Sequence, residues 1–161
     1  MAYILNIETA TKNCSVSIAK DGETLLCKEI AEQGYSHAEK LHVFISEALA
    51  ALNLDFSDLD AIAVSQGPGS YTGLRIGVSA AKGLCYALNI PLIAVDTLEV
   101  LASAISVENG VVIPMIDARR MEVYSAVFSS DILKIRDTKA EIITQESFAE
   151  TTETIHFIGD G

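Results

Sequence analysis

Apolar residues near the start of the chain predict three antiparallel strands. The segment AYILNI is almost wholly apolar, as in a short strand that is buried on both faces. After it, Val16 and Ile18 alternate with serines, and Asp21-Gly22 is a dipeptide typical of a tight hairpin turn. Apolar residues continue beyond that turn in TLLCKEI. We therefore expect one buried strand followed by a β-hairpin.

Apolar residues at helical spacing then alternate with short apolar runs. Ser36 and Glu39 form a capping-box pattern, in which two side chains satisfy free backbone N–H groups at a helix start. Asn89 and Pro91 are typical of a helix end. The predicted elements are, in order, a helix over 36–52, a strand in DAIAVSQ, a helix over 72–89, a strand in PLIAV and a short helix capped by Asp96 and Glu99.

Near residue 110 the opening pattern returns. GVVIPMID predicts a buried strand, Arg119 and Arg120 lie in a turn, and EVYSAVF alternates as a second strand. A strand that ends in Ile7-Glu8 thus corresponds to one that ends in Ile116-Asp117, which indicates a weak internal repeat. The repeat predicts an α/β protein with two related halves, each a sheet with helices.

We place the two halves at residues 1–100 and 101–161. The last residues contain HFIG, which predicts a strand, and then Gly-Asp-Gly, which is typical of a loop that leads into a helix. Since no helix follows, we expect the second half to be incomplete and the chain to be truncated.

Composition and charge narrow the classes of function. Half of the 161 residues are apolar, and no run reaches the roughly 18 residues that a membrane span needs. The N-terminus lacks the features of a secretory signal, and the three cysteines form no CxxC pair, so we expect a cytoplasmic protein. The net charge of −11 opposes direct binding of nucleic acid.

The segment SQGPGSYTGLRIG is rich in glycine and precedes a predicted helix. Gly67, Gly69 and Gly73 are spaced one residue too widely for a dinucleotide fingerprint, and no Lys-Ser or Lys-Thr follows as in a Walker loop. Ser70 lacks the flanking glycines of a nucleophile elbow. Two interpretations stay open at this point: a tight turn before a closely packed helix, or a helix N-terminus that receives an anion.

Gly73 and Gly77 lie four residues apart on the predicted helix. A glycine inside a helix costs about 1 kcal/mol relative to alanine, so two of them need a packing reason. We expect close docking of this helix on another helix, within the chain or across a dimer. Arg75 on the same helix fits an anionic ligand, a carboxylate of a partner protein or an ion pair within the domain.

The remaining polar residues indicate no catalytic centre. His37 and His42 point about 140° apart around a helix, so they cannot share a metal ion, and we expect His37 to be a first-turn polar residue and His42 a surface residue. The carboxylates at predicted strand ends fit turns and helix caps; they are Glu8, Asp96, Asp117 and Asp160. We predict neither a catalytic residue nor a metal site.

Four segments in the same order resemble the TsaB (YeaZ) family: ILNIETAT, SHAEKL at the start of the first helix, GPGSYTGLRIG, and PLIAVDTLEVLA. The resemblance implies an actin/hexokinase/Hsp70-like (ASKHA) fold, a duplicated ribonuclease H-like fold. It also implies a degenerate relative of TsaD, which transfers a threonylcarbamoyl group to a tRNA adenosine. The catalytic relative binds a metal through a His-x-x-x-His pair, and here Leu41 occupies the second position after His37.

The resemblance further implies a non-catalytic scaffold subunit that binds TsaD, with the ATPase TsaE completing the assembly. It implies a homodimer when the chain is alone, contact with tRNA only indirectly, no membrane partner, and no cofactor beyond weak ATP or ADP binding within the complex. We expect the partner interface on the helices at 36–52 and 72–89, at His37, Leu41, Ile45, Gly73, Leu74, Arg75, Gly77 and Ala81. A leucine at position 77 would then break partner binding and leave the fold intact.

Glu8, Gly67 and Gly69 are candidate nucleotide contacts. The alternative function is an ATP-dependent phosphotransferase of the same fold, with Glu8 and Asp117 in magnesium-bound turns. Nothing in the residues favours peptidase chemistry.

Overall fold

The structure is a computed structural model and describes residues 1–31 and 37–161. It divides into two compact units, Met1–Val95 and Asp96–Gly161, so the boundary lies slightly earlier than the predicted one. Ser36 of the predicted capping box lies outside the described residues.

The first unit contains a five-stranded sheet. Its strands are β1 (Tyr3–Glu8), β2 (Cys14–Lys20), β3 (Glu23–Ile30), β4 (Ala61–Gly67) and β5 (Leu92–Asp96). Their order in the sheet is β3-β2-β1-β4-β5. The first three strands are antiparallel, as predicted, and β4 lies parallel to β1. Asp21 and Gly22 form the predicted turn, both with positive φ.

Two helices cover one face of this sheet. They are α1 (His37–Ala51) and α2 (Tyr71–Leu88), and a single 3-10 turn lies between them at Phe56–Asp58. The Ser70 hydroxyl caps α2 by accepting the Gly73 N–H at 3.3 Å, and Asn89 ends it in a left-handed conformation with φ of 54°. The helices contact β2 and β4 and bury apolar side chains of the sheet, including Leu5, Val16, Ile18, Ile62 and Val64.

The second unit repeats the order of the first. After α3 (Thr97–Ala102) come β6 (Val111–Arg119), β7 (Glu122–Ser129), β8 (Lys134–Glu141) and β9 (Ile155–Gly159), in the sheet order β8-β7-β6-β9. β6 and β7 are antiparallel, and β9 is parallel to β6, just as β4 is parallel to β1. The predicted α/β repeat is therefore confirmed. Among residues 96–161 there are four strands, and no helix corresponds to α1 or α2.

Two features of the second unit differ from the sequence prediction or were missed by it. α3 contacts β6, β7 and β9, so it belongs to the second unit, with Asp96 as the predicted cap that accepts from the N–H groups of Leu98 and Glu99. β8 has five charged residues among its eight and shows no apolar pattern. It lies at the edge of the sheet, where charged side chains discourage pairing with another chain.

A polar network holds β8 against its neighbours. The Arg136 guanidinium donates to Glu141 at 2.5 Å and to the Ser125 hydroxyl at 2.7 Å, and it lies 4.7 Å from the centre of the Phe148 ring. Ser125 also donates to Glu141. The hydrogen bond from Arg136 is the main cause that lowers the pKa of the Glu141 carboxyl below its ordinary value.

We expect Arg136→Met to lower the free energy of unfolding at neutral pH and to have a smaller effect in acid. Because the folded-state pKa of Glu141 is lowered, this pair stabilises the fold above the unfolded pKa, about 4.3, and the contribution is lost as the pH falls through the folded value. Urea midpoints of wild type and variant at pH 7 and pH 3 test this. Arg120→Met, at an exposed position in the turn before β7, is the control. A difference between wild type and Arg136→Met that stays equal at both pH values would contradict this role of the pair.

Candidate functional site

Glu8, at the end of β1, and the turn that follows it contact β4, α1 and α2. One Glu8 carboxylate oxygen accepts the N–H of Ala10 at 2.6 Å, and the other accepts the hydroxyl of Ser65 on β4. The carbonyl oxygen of Ala10 accepts the N–H of Ser70 at 2.6 Å, at the start of α2. The turn therefore fixes the loop from which α2 begins.

The same turn also contacts the first turns of α1 and α2. The carbonyl oxygen of Thr11 lies 3.0 Å from Nε2 of His37, in the first turn of α1. The hydroxyl of Thr9 donates to the carbonyl oxygen of Gly73 at 2.8 Å. Both Thr9 and His37 are buried, so these contacts belong to the interior of the unit.

Gly73 and Gly77 of α2 face this turn. A Cβ atom at Gly73 would overlap the carbonyl oxygen of Thr9, and one at Gly77 would overlap the Thr9 hydroxyl and meet Ile7 at 3.4 Å. The packing reason for both glycines is thus the close approach of α2 to β1 and its turn. The expectation that these glycines dock another helix is wrong, because a four-residue spacing identifies one face of a helix but not the surface that it meets.

Most of the predicted interface residues are corrected for the same reason. Six of the eight are buried within the first unit, where no partner can reach them: His37, Leu41, Ile45, Gly73, Gly77 and Ala81. Leu74 is half-buried and Arg75 is exposed. A leucine at position 77 would have to displace Thr9, so its first effect would fall on the fold and not on partner binding.

The candidate nucleotide contacts have structural partners within the chain. Both carboxylate oxygens of Glu8 accept hydrogen bonds, and Gly67, with φ of 115°, begins a tight turn through a cis bond to Pro68. A Cβ atom at Gly69 would overlap the carbonyl oxygen of Ala10. These contacts account for the glycine-rich segment as a closely packed turn.

Asp117 also has a role in a turn. Its carboxylate accepts the N–H of Arg119 at 2.7 Å, and it lies in the second unit while Glu8 lies in the first. The phosphotransferase alternative therefore gains no specific support from the geometry of its two carboxylates.

The described part of the chain contains neither an activated cysteine thiolate nor a group of side chains that could bind a metal ion. All three cysteines are free, and burial is the main cause that raises the pKa of each thiol, the opposite of an activated thiolate. Within residues 1–31 and 37–161, no three His, Cys, Asp or Glu side chains are grouped closely enough to hold a metal ion. None of the described helices has the length and apolar character needed to cross a bilayer.

The outer side of the first unit carries an open groove between α1 and α2. Its volume is about 490 Å³, and it is lined mainly by small and apolar residues: Ala38, Ile76, Ser79, Ala80, Gly83 and Leu84. His42, exposed as predicted, lies at its α1 side. A Cβ atom at Gly83 would meet no atom within 4 Å, so this glycine, unlike Gly73 and Gly77, faces open space.

Most of the groove residues are not among the predicted interface residues, which lie mainly on the buried glycine face of α2. The available signal was the recurrence of Ser79, Ala80 and Gly83 on successive turns of α2, away from the buried face. Small residues at such positions let a second helix approach closely. The groove therefore offers a surface of small and apolar residues that a helix could approach closely.

Comparison with known proteins identifies the family. Residues 26–160 match a family model described as "TsaD: tRNA N6-adenosine threonylcarbamoyltransferase". The TsaB of Escherichia coli, a tRNA threonylcarbamoyladenosine biosynthesis protein, is 36% identical over 130 residues, which are 80% of this chain and 55% of that protein. The tRNA N6-adenosine threonylcarbamoyltransferase of Bacillus subtilis is 37% identical over 108 residues, which are 58% of this chain and 31% of that enzyme.

A solved structure agrees with these relatives. YeaZ from Pseudomonas aeruginosa superposes with a TM-score of 0.72 at 31% identity, covering 88% of this chain and 64% of that one. The chain spans about half the length of the curated TsaB relatives that it matches. The fold is the duplicated α/β fold of the actin/hexokinase/Hsp70-like class. The chain therefore belongs to the family that the TsaD model describes, and its resemblance to TsaB/YeaZ is confirmed.

Proposed function

We propose that this protein is a non-catalytic subunit that binds a TsaD-type threonylcarbamoyltransferase and supports it in forming N6-threonylcarbamoyladenosine on tRNA. The observation that supports this most strongly is the open, small-residue groove between α1 and α2, in a unit whose sequence matches TsaB relatives. Gly69 and Gly73, near the start of α2, pack closely against Ala10 and Thr9 of the turn after β1, which supports a structural role for this segment.

The proposal that this chain is non-catalytic is supported by the identity of two residues on α1. Leu41 stands where the catalytic relative has the second histidine of its metal pair, and its side chain is fully buried in the core. His37 is buried and directed to Thr11, and it lies too far around α1 from His42 for the two to form a ligand pair. These residues support α1 as a structural helix.

The groove fits a helix of the partner. Ala38 on α1 and Ala80 and Gly83 on α2 leave room for a close approach, and Ile76 and Leu84 supply apolar area. Because TsaB and TsaD relatives match overlapping parts of this chain, the partner can present a surface built from the same kind of helix pair. In the absence of that partner, a second copy of this chain would occupy the groove and form a homodimer.

The proposed complex also includes tRNA and TsaE. With a net charge of −11, this chain repels the tRNA backbone, so the transferase would hold the tRNA and this subunit would contact it only indirectly. TsaE would join through the complex. We place this assembly in the cytoplasm, where tRNA is modified.

Binding and activity measured together test the proposal. The expected result is that this chain co-elutes with purified TsaD in size-exclusion chromatography and raises the rate of tRNA threonylcarbamoylation by TsaD and its other components. If this chain and TsaD elute separately and the rate of tRNA threonylcarbamoylation stays unchanged, the proposed function is contradicted.

A further inference from the structure

A second surface of α2 lies next to the face that lines the groove. Four exposed side chains, Tyr71, Arg75, Lys82 and Tyr86, follow one another at spacings of four, seven and four residues. At 100° per residue, these spacings place them within about 60° around the helix, in a stripe about 22 Å long. We call this set the cationic stripe.

The cationic stripe carries positive charge without a compensating anion. α2 contains no Asp or Glu, whereas the whole chain has a net charge of −11. Within the described residues, neither Arg75 nor Lys82 forms an ion pair, and Arg75 lies 5.4 Å from the centre of the Tyr71 ring. The two cations are therefore available to a partner.

Tyr71 and Tyr86 bury little of their surface within the fold. Tyr71 is 74% exposed and Tyr86 is 91% exposed, so burial within this chain does not explain them. Tyrosine and arginine are the residue types that dominate binding energy in protein interfaces, where a flat ring and a planar cation add contact area at low entropic cost. A stripe of these residues beside an apolar groove has the composition of an interface rim.

We infer that the cationic stripe is the charge-selective part of the docking surface and that it binds an acidic face of the partner protein. Arg75 and Lys82 lie seven residues apart, about 10 Å along the axis, which matches carboxylates seven residues apart on a helix. The inference rests on the proposed function, because it names the chemistry of the partner that the groove receives.

The charge of the chain favours a protein over a nucleic acid as the occupant. The net charge of −11 repels an approaching polyanion, whereas a protein partner can bring a few carboxylates to the stripe without a high overall negative charge. Opposite charges at such a rim mainly raise the association rate and select the partner.

Charge neutralisation tests the inference. Binding to purified TsaD is measured by interferometry at 50 and 300 mM NaCl for wild type, R75Q/K82Q and R75E/K82E, and R120Q/K139Q is the control with two exposed cations removed from the second unit. At low salt we expect R75Q/K82Q to bind about tenfold more weakly and R75E/K82E about hundredfold more weakly. The salt dependence should flatten in R75Q/K82Q and stay unchanged in the control.

The outcomes separate this inference from the proposed function. If wild type does not bind TsaD at all, the proposed function fails and the inference fails with it. If wild type binds and R75Q/K82Q binds equally well with the same salt dependence, the inference alone is overturned. It is also overturned if R75Q/K82Q keeps its affinity for TsaD but the complex loses binding of a tRNA anticodon stem-loop in a filter assay, since the occupant is then RNA.

Discussion

Replacing Gly73 with alanine is expected to lower the free energy of unfolding of the first unit by about 3 kcal/mol, the upper part of the usual range for an overpacked interior. The added methyl group would overlap the carbonyl oxygen of Thr9, and backbone on both sides of the contact leaves little freedom to adjust. The shift would also break the hydrogen bond from Thr9 to Gly73. Urea denaturation followed by circular dichroism measures the effect.

Gly83 provides the matched control on the same helix. Alanine at position 83 meets no atom within 4 Å, so Gly83→Ala should raise the stability by about 0.5–1 kcal/mol through helix propensity alone. Opposite signs at the two positions are the expected result. Equal urea midpoints for the two variants would contradict the close contact between α2 and the turn after β1.

The second large effect concerns partner binding. Gly83→Trp should fold normally, because position 83 is exposed, but it would fill the groove between α1 and α2. Overpacking of a close contact costs about 1–3 kcal/mol, so the affinity for TsaD should fall by about fivefold to 150-fold. Calorimetric titration of TsaD with each variant measures it.

A tryptophan outside the groove separates a specific effect from a general one. Ser57→Trp, on the exposed 3-10 turn after α1, should bind TsaD like the wild type. If Gly83→Trp also retains wild-type affinity, the groove is not the docking surface.

The sequence predicts the elements that have a regular apolar pattern, but it does not predict strands that lack one. Apolar periodicity predicts the antiparallel strands at the start, the helices α1 and α2, and the second set of strands from Val111. Residues typical of turns and helix ends, such as Asp21-Gly22 and Asn89, mark where these elements end. β8 escaped notice because an edge strand needs no apolar face. The charged residues of β8 do not predict that this strand pairs with β7, an arrangement that the Arg136 network stabilises.

The interface is predicted on α1 and α2, but most of its predicted residues lie on the buried faces of these helices. Spacing identified Gly73 and Gly77 as one close-packing face, yet only the fold shows that this face meets Thr9. Thr9 lies more than 60 positions earlier in the sequence, and no local pattern connects the two sites. Exposure of Arg75 agrees with its expected place at an interface, and its partner stays a prediction.

The central claim is that this chain supports a TsaD-type transferase through the groove between α1 and α2. The most direct test is the initial rate of tRNA threonylcarbamoylation by TsaD, measured with no addition, with wild type, with Gly83→Trp and with Ser57→Trp at equal concentrations. We expect wild type and Ser57→Trp to raise the rate equally, whereas Gly83→Trp should leave it near the value without addition. A rate that wild type does not change, or that Gly83→Trp raises as much as wild type, would contradict it.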